Sequence, residues 1–534
     1  MQNLSYITMI LILLLAFLAG CATGAKPTPE TTEPAPTIEI TDAVPATATT
    51  DVADVAPGVV ITDGRWEEAD CLFDVPDGMA VGEDLICGYI TVPEQRANPD
   101  GPTIRLAVAI LKSEGDSPAS DPFVMFTGGP GGNIFAMGPP MLSEFGAPIR
   151  ADRDIVLMSE RGTYGAEPFL DCPELAIVDE HFGASPEELD ALKLEAFTNC
   201  RERLVSEGIN LNAYNNPERA ADVPLVMEVL GYKEYNLWGV SGGGLLTQLL
   251  VRDHPDGVRT IMTDSGAFPT PHIGAMMAPL INNASASFRL LFKECAADAA
   301  CSEHYPDLEG VFFDLIAGLN ANPAVLTIEN PATGEGVEIA LTGDLAIQVL
   351  TNSFGGGMVA YLPKAIYEMA DGDYTMISSI LPSAFMGDTG IDEADGLYQS
   401  VLCADVGHLT IDDFATDDAY PEIVQALKPA AQLVLDICAL WDVESLPPGD
   451  VVVSDVPALI MEGVYDTNKP PELGADVAKN FGTSYLAEFG DQAHVTLSPC
   501  SISMMSEFMN NPAQAPDKSC VPQATSFVLP DGTP

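Results

Sequence analysis

For much of its length the chain alternates short apolar runs with polar, glycine-rich turns. Residues 86–92 and 103–111 are rich in β-branched and apolar side chains, and Asn98-Pro99-Asp100-Gly101 between them is a strong turn signal. Together they predict an antiparallel hairpin. Residues 123–126 and 154–158 are shorter and mostly apolar, the pattern of strands covered on both faces. At Asn216-Pro217 the period changes: a cap residue and a first-turn proline open a helix. Ala220, Val223, Leu225, Val226 and Leu230 give it an apolar face, and Gly231 stops it. Residues 235–238 then predict a buried strand, 245–252 an apolar helix and 258–262 a further strand. Such alternation needs crossovers, so it implies a mostly parallel sheet with helices on its faces.

From about 269 to 442 the alternation lapses. Apolar residues recur at helical spacing around 286–292, 311–319, 345–350 and 423–440, which predicts a mainly helical insertion. Strands resume at 457–461 and 484–489, with a closing helix over 501–509. The body therefore reads as one α/β core in two parts, 66–268 and 443–534, interrupted by a cap at 269–442. Ahead of it, residues 21–65 are rich in Thr, Pro and Ala and bury too little apolar surface to order themselves, so they predict a tether. Residues 7–19 form an apolar run of signal-peptide length, too short to span a bilayer comfortably. It ends in Leu18-Ala19-Gly20-Cys21, which resembles a bacterial lipobox: residues 1–20 would be removed and Cys21 acylated, anchoring an extracytoplasmic protein to a membrane. Residues 1–6 lack the usual Lys or Arg, and a cleaved, freely secreted protein is the alternative.

Composition changes this picture at two points. Among 534 residues, 78 acidic against 22 basic side chains give a net charge of −56, which excludes a nucleic-acid partner and supplies solubility. Eleven cysteines, less Cys21, leave an even number, as suits an oxidising compartment. Their order suggests local pairs, Cys71–Cys87, Cys172–Cys200, Cys295–Cys301, Cys403–Cys438 and Cys500–Cys520, although order alone leaves connectivity open. No C-x-x-C or His-rich cluster occurs, so neither a metal site nor a cofactor is expected.

The candidate chemistry centres on Gly239-Val240-Ser241-Gly242-Gly243, a G-x-S-x-G pattern at the predicted strand-to-helix turn. Such a turn exposes the serine above the sheet as a nucleophile, and its acid and base follow later in the chain. Asp466 follows the strand at 457–461, and His494 follows the strand at 484–489. Asp264, after the strand at 258–262, is the alternative acid, and Asp491 reads better as a turn residue. The remaining histidines, His181, His254, His272, His304 and His408, follow no late strand. Gly128-Gly129-Pro130-Gly131-Gly132 lacks the Lys-Ser/Thr ending of a phosphate loop; after an early strand it is placed to complete an oxyanion hole, with Gly129 and Gly242 as the backbone N–H donors.

With Glu160-Arg161-Gly162-Thr163 and Tyr465-Asp466, these motifs resemble α/β-hydrolase serine peptidases, in particular secreted prolyl and tripeptidyl aminopeptidases. Val401-Leu402-Cys403-Ala404-Asp405 and Cys438-Ala439-Leu440-Trp441 look like that branch's C-terminal region, so the likeness runs from about Cys71 to Cys520. The family commonly has an aromatic residue after the nucleophile and a glycine after the histidine; here these are Gly242 and Val495. The resemblance implies an α/β-hydrolase fold with a helical cap and a peptide substrate cleaved near its free N-terminus. A carboxylate would pair with the substrate ammonium; Glu294, Glu303 and Asp405 are candidates, Asp405 favoured. An esterase or lipase with the same triad, or a non-catalytic binding lipoprotein, are the alternatives.

Overall fold

The structure, a computed structural model, describes residues 64–330, 333–385 and 393–533. The signal segment 1–20, Cys21 and nearly all of the tether lie outside the described residues. In chain order the strands are β1 (Trp66–Glu68), β2 (Leu85–Pro93), β3 (Thr103–Leu111), β4 (Phe123–Phe126), β5 (Ile155–Met158), β6 (Tyr235–Val240), β7 (Val258–Asp264), β8 (Ala324–Glu329), β9 (Gly336–Leu341), β10 (Ala458–Gly463) and β11 (Ser484–Phe489). Nine of them form one sheet in the order β1-β2-β3-β5-β4-β6-β7-β10-β11. The pairings β1·β2, β2·β3 and β3·β5 are antiparallel, the second of them as the turn at 98–101 demands. All pairings from β5 to β11 are parallel. The hairpin edge, the exchanged positions of β4 and β5 and the parallel remainder are the topology of the α/β-hydrolase fold.

Strand side chains alternate between two cores, as a period of two requires. On one face Val124, Phe126, Leu237 and Ile460 pack with Leu245, Leu246, Leu249 and Leu250 of the helix Gly242–Asp253. On the other, Phe123, Met125, Trp238, Leu459 and Met461 meet Ile502, Met505 and Phe508 of the closing helix Pro499–Asn510. β4, β5 and β10 are buried at every position, and β4 and β5 accordingly read as unbroken apolar runs.

The helix opened by the 216–217 signal spans Asn216–Leu230 and stops at Gly231, whose φ is 82°. Its cap is one residue earlier than predicted: the Asn215 side chain accepts the Glu218 N–H at 3.0 Å. Asn216 is thereby freed to donate to Asp405 at 2.9 Å. The motif residue Arg161 is wholly buried and forks onto Asp222 of this helix at 2.8 and 2.9 Å. A bidentate pair of that kind fixes helix to strand end, so this motif is architectural.

Between β7 and β10 the insertion contains the helices Leu280–Ala297, Leu308–Ala321, Gly343–Ser353, Leu362–Ala370, Thr375–Phe385, Asp395–Val406 and Pro421–Trp441. Phe288, Phe292, Phe312 and Phe354 interlock at its centre, with centroid separations of 5.0 to 6.1 Å. The hairpin β8–β9 is an addition to the helical prediction. In β8 only Leu326 and Ile328 turn inward, too short an alternation to stand out from its surroundings. All five cysteine pairs suggested by order are disulfides. Cys403–Cys438 joins the helices Asp395–Val406 and Pro421–Trp441 across a loop where no regular ladder could.

Candidate active site

Ser241 sits between β6 and the helix Gly242–Asp253 with φ 49° and ψ −118°. A non-glycine residue rarely adopts this conformation. It is imposed by the chain reversing from strand to helix while the Ser241 N–H donates to Asp264 O at 2.9 Å. Gly242 follows because nothing larger fits: a Cβ there would stand 2.6 Å from the Gly129 carbonyl oxygen. The aromatic residue common at this position in the resembling peptidases is excluded by the close approach of the 128–132 loop. As the first residue of the helix, Gly242 also has no i−4 helical carbonyl for its N–H.

Past β10, Asp466 is 2 % exposed and its Oδ2 lies 2.9 Å from His494 Nδ1. Its other oxygen accepts the N–H groups of Asn468 and Lys469 at 2.8 and 3.2 Å. Burial pushes this carboxyl upward, but His494, Lys469 and the Asn468 N–H outweigh it and hold Asp466 below its ordinary pKa. Burial likewise works against a charged His494, and Lys469 opposes it too. The charge and hydrogen bond of Asp466, aided by Asp264, prevail and hold the ring above its ordinary value. An imidazole proton is therefore favoured at Nδ1, which leaves Nε2 as the free base.

Asp264, the alternative acid, is also buried, but its Oδ1 accepts the N–H and hydroxyl of Thr496 at 2.7 and 2.9 Å. It is hydrogen-bonded to the residue two places beyond His494, not to the ring. Burial, only partly offset by Thr496, pushes it up to about 6. Among the described residues no hydrogen bond joins Asp491 to the ring either.

Ser241, His494 and the 128–132 loop line one cavity of about 740 Å³. Among the described residues no hydrogen bond joins the Ser241 hydroxyl to the His494 ring; in free enzymes such contacts commonly tighten only with substrate. Met276, Met277 and Leu280 of the insertion give the cavity an apolar wall; Asp179, Glu393 and Asp395 give it negative charge, and Lys193 is a cation on the same lining. Burial raises the Asp179 and Asp395 carboxyls, Asp395 to about 6. Sequence reasoning missed these side chains, because none lies in a motif and they meet only through folding.

Asp405, expected to pair with the substrate ammonium, is placed elsewhere. It is 2 % exposed, does not line the cavity, and accepts from Asn216 Nδ2 and Ile273 N–H, both at 2.9 Å. Its side chain ties the insertion to the helix Asn216–Leu230. Glu294 and Glu303 do not line the cavity either.

No family model matches the chain. It is 27% identical over 218 residues to a tripeptidyl aminopeptidase of Streptomyces coelicolor. It is 28% identical over 218 residues to one of Streptomyces lividans. In each comparison the match spans 38% of this chain and 38% of the relative's length. Among solved structures, a proline iminopeptidase of Mycobacterium smegmatis is 12% identical with a TM-score of 0.34, over 80% of this chain and 98% of that one. An α/β-hydrolase fold protein of Chitinophaga pinensis is 13% identical with a TM-score of 0.32, over 76% of this chain and 94% of that one.

Proposed function

We propose that this chain is a serine hydrolase that cleaves peptide bonds near a free N-terminus through an acyl-enzyme. The observation that carries the reading is the Asp466–His494 contact of 2.9 Å opening onto the same cavity as the strained Ser241 turn. Ser241 Oγ attacks the scissile carbonyl and His494 Nε2 takes its proton. The carbonyl oxygen becomes an oxyanion facing the backbone N–H groups of Gly129 and Gly242. His494 then protonates the leaving amine, and a water activated by the same ring releases the acyl group. Asp466 holds the ring and offsets its transient positive charge.

A peptide substrate is supported by the relatives named tripeptidyl aminopeptidase. A cavity of about 740 Å³ has the size of a small-ligand site. Its Asp179 and Asp395 carboxylates, beside Glu393, supply the charge that pairs with a substrate ammonium. The five disulfides fit an extracytoplasmic location, with Cys21 as the lipid anchor.

The test is a matched set of aminoacyl and tripeptidyl amides with free or blocked N-termini, beside p-nitrophenyl esters and a fluorophosphonate probe. Turnover of the free peptides with labelling at Ser241 is expected. Ester turnover alone removes the peptidase reading, and absence of labelling in folded protein removes the serine-hydrolase reading.

A further inference from the structure

Five non-glycine residues among those described have positive φ: Ser241, Ser265, Asp307, Asp442 and Val495. Three of them converge on the candidate site. Ser241 is the proposed nucleophile, Val495 follows the proposed base, and Ser265 lies between them at the end of β7. Residues 264–266 touch both sides. The Asp264 carbonyl accepts the Ser241 N–H at 2.9 Å, while the Asp264 carboxylate holds the N–H and hydroxyl of Thr496 at 2.7 and 2.9 Å. Ser265 Oγ accepts the Val495 N–H at 2.9 Å. Gly266 lies flat on the serine helix: a Cβ on Gly244 would stand 2.4 Å from the Gly266 Cα. The segment is itself anchored to the sheet, since the Ser265 N–H donates to Met461 O at 2.9 Å.

Val495 is the reason such a bridge is needed. At φ 74° a β-branched residue is strained, by roughly 1–3 kcal/mol, and persists only where its surroundings over-determine it. Glycine, which the resembling peptidases commonly have here, adopts that φ without cost. With valine the turn carrying His494 has an incentive to relax, and two consecutive N–H groups, of Val495 and Thr496, are captured by 264–265.

On the serine-hydrolase reading above, we infer that Asp264-Ser265-Gly266 is a positioning bridge that sets His494 relative to Ser241, with the Ser265 hydroxyl holding the strained Val495 in place. Ser265 touches neither substrate nor reacting atoms; it acts through the backbone of the His494 turn. Asp264 and Ser265 therefore belong to positioning, and Asp466 alone orients the ring.

The experiment compares Ser265→Ala, Val495→Gly and the double variant for kcat, KM, the rate of Ser241 labelling by a fluorophosphonate, and thermal melting. Alanine keeps the Cβ and the strain at 265 and deletes only the hydroxyl. Ser265→Ala is expected to lower kcat and the labelling rate about 10- to 100-fold with KM nearly unchanged, the size of effect a misplaced base produces. In the Val495→Gly background, where no strain opposes the turn, the same deletion is expected to cost about 3-fold or less. The pH at half-maximal kcat stays put, because Asp466, Asp264 and Lys469, the charged groups acting on His494, are all retained. An equal loss in both backgrounds, or a loss confined to melting temperature, overturns the bridge. So does full activity in Ser265→Ala. A parent protein that neither turns over substrate nor labels refutes the underlying reading instead.

Discussion

The two walls of the cavity are built differently. The wall formed by the sheet's rim carries Ser241, Asp466 and His494 on short loops pinned by hydrogen bonds of 2.7 to 3.2 Å. The facing wall, Met276, Met277, Leu280 and Asp395, belongs to the insertion, where helices pack through apolar side chains and disulfides. Hydrogen bonds are directional and hold atoms to fractions of an ångström, whereas apolar packing is non-directional and tolerates change of shape. The proposed chemistry thus lies on the rim and one of the proposed ammonium partners, Asp395, on the insertion, so substitutions on each should fail in different ways.

The largest expected effect tests the rim. Ser241→Ala should abolish fluorophosphonate labelling and lower kcat at least about 1000-fold with substrate binding preserved; residual turnover near the parent level would move the chemistry to another residue. Next is the place where the rim's two glycine turns meet. A Cβ on Gly242 would lie 2.6 Å from Gly129 O, so Gly242→Ala must shift both proposed oxyanion donors. A loss of about 100- to 1000-fold in kcat is expected, against little change in KM.

The insertion should respond in KM instead. Asp395→Asn is expected to raise KM about 10-fold for peptides with a free N-terminus and to leave blocked peptides unchanged. Asp395 is raised to about 6 by burial and the nearby Asp171, so its charge forms as pH rises through that value. For free peptides KM should accordingly fall with rising pH through about 6, and in Asp395→Asn this dependence should weaken, leaving the part due to Asp179. Equal effects on blocked and free peptides would place the ammonium elsewhere.

The smallest effect concerns stability. Asp264 titrates near about 6 in the fold against 3.8 ordinarily, so between those values the folded chain keeps a proton that the unfolded chain has lost. Its contribution is thus most favourable below the lower value and declines as pH rises through the upper one. Asp264→Asn is neutral throughout, and its melting temperature should gain on the parent as pH is raised across that window.

The parallel strands β4, β5, β6, β7, β10 and β11, the strand-to-helix turn at Ser241, the positions of Asp466 and His494 after β10 and β11, and the local cysteine pairs were legible along the chain. Each has a local cause: apolar periodicity marks a strand, glycines mark a sharp turn, and loop position after a strand places a side chain at the sheet's rim. The strands β8 and β9 escaped notice because few of their residues turn inward. Asn215 took the cap expected of Asn216, since capping depends on which side chain reaches the third N–H.

What the sequence by itself determined is the α/β core and the identities of the residues at its rim, because strand burial and turn chemistry are set by neighbours a few positions apart. What only the tertiary structure decided is where the acids point. Asp405 turned into the packing between insertion and core, while Asp179 and Asp395 came to face the cavity. Asp264 was left holding the turn beyond His494. A carboxylate's role follows from the N–H groups and charges that surround it after folding, and those arrive from distant parts of the chain.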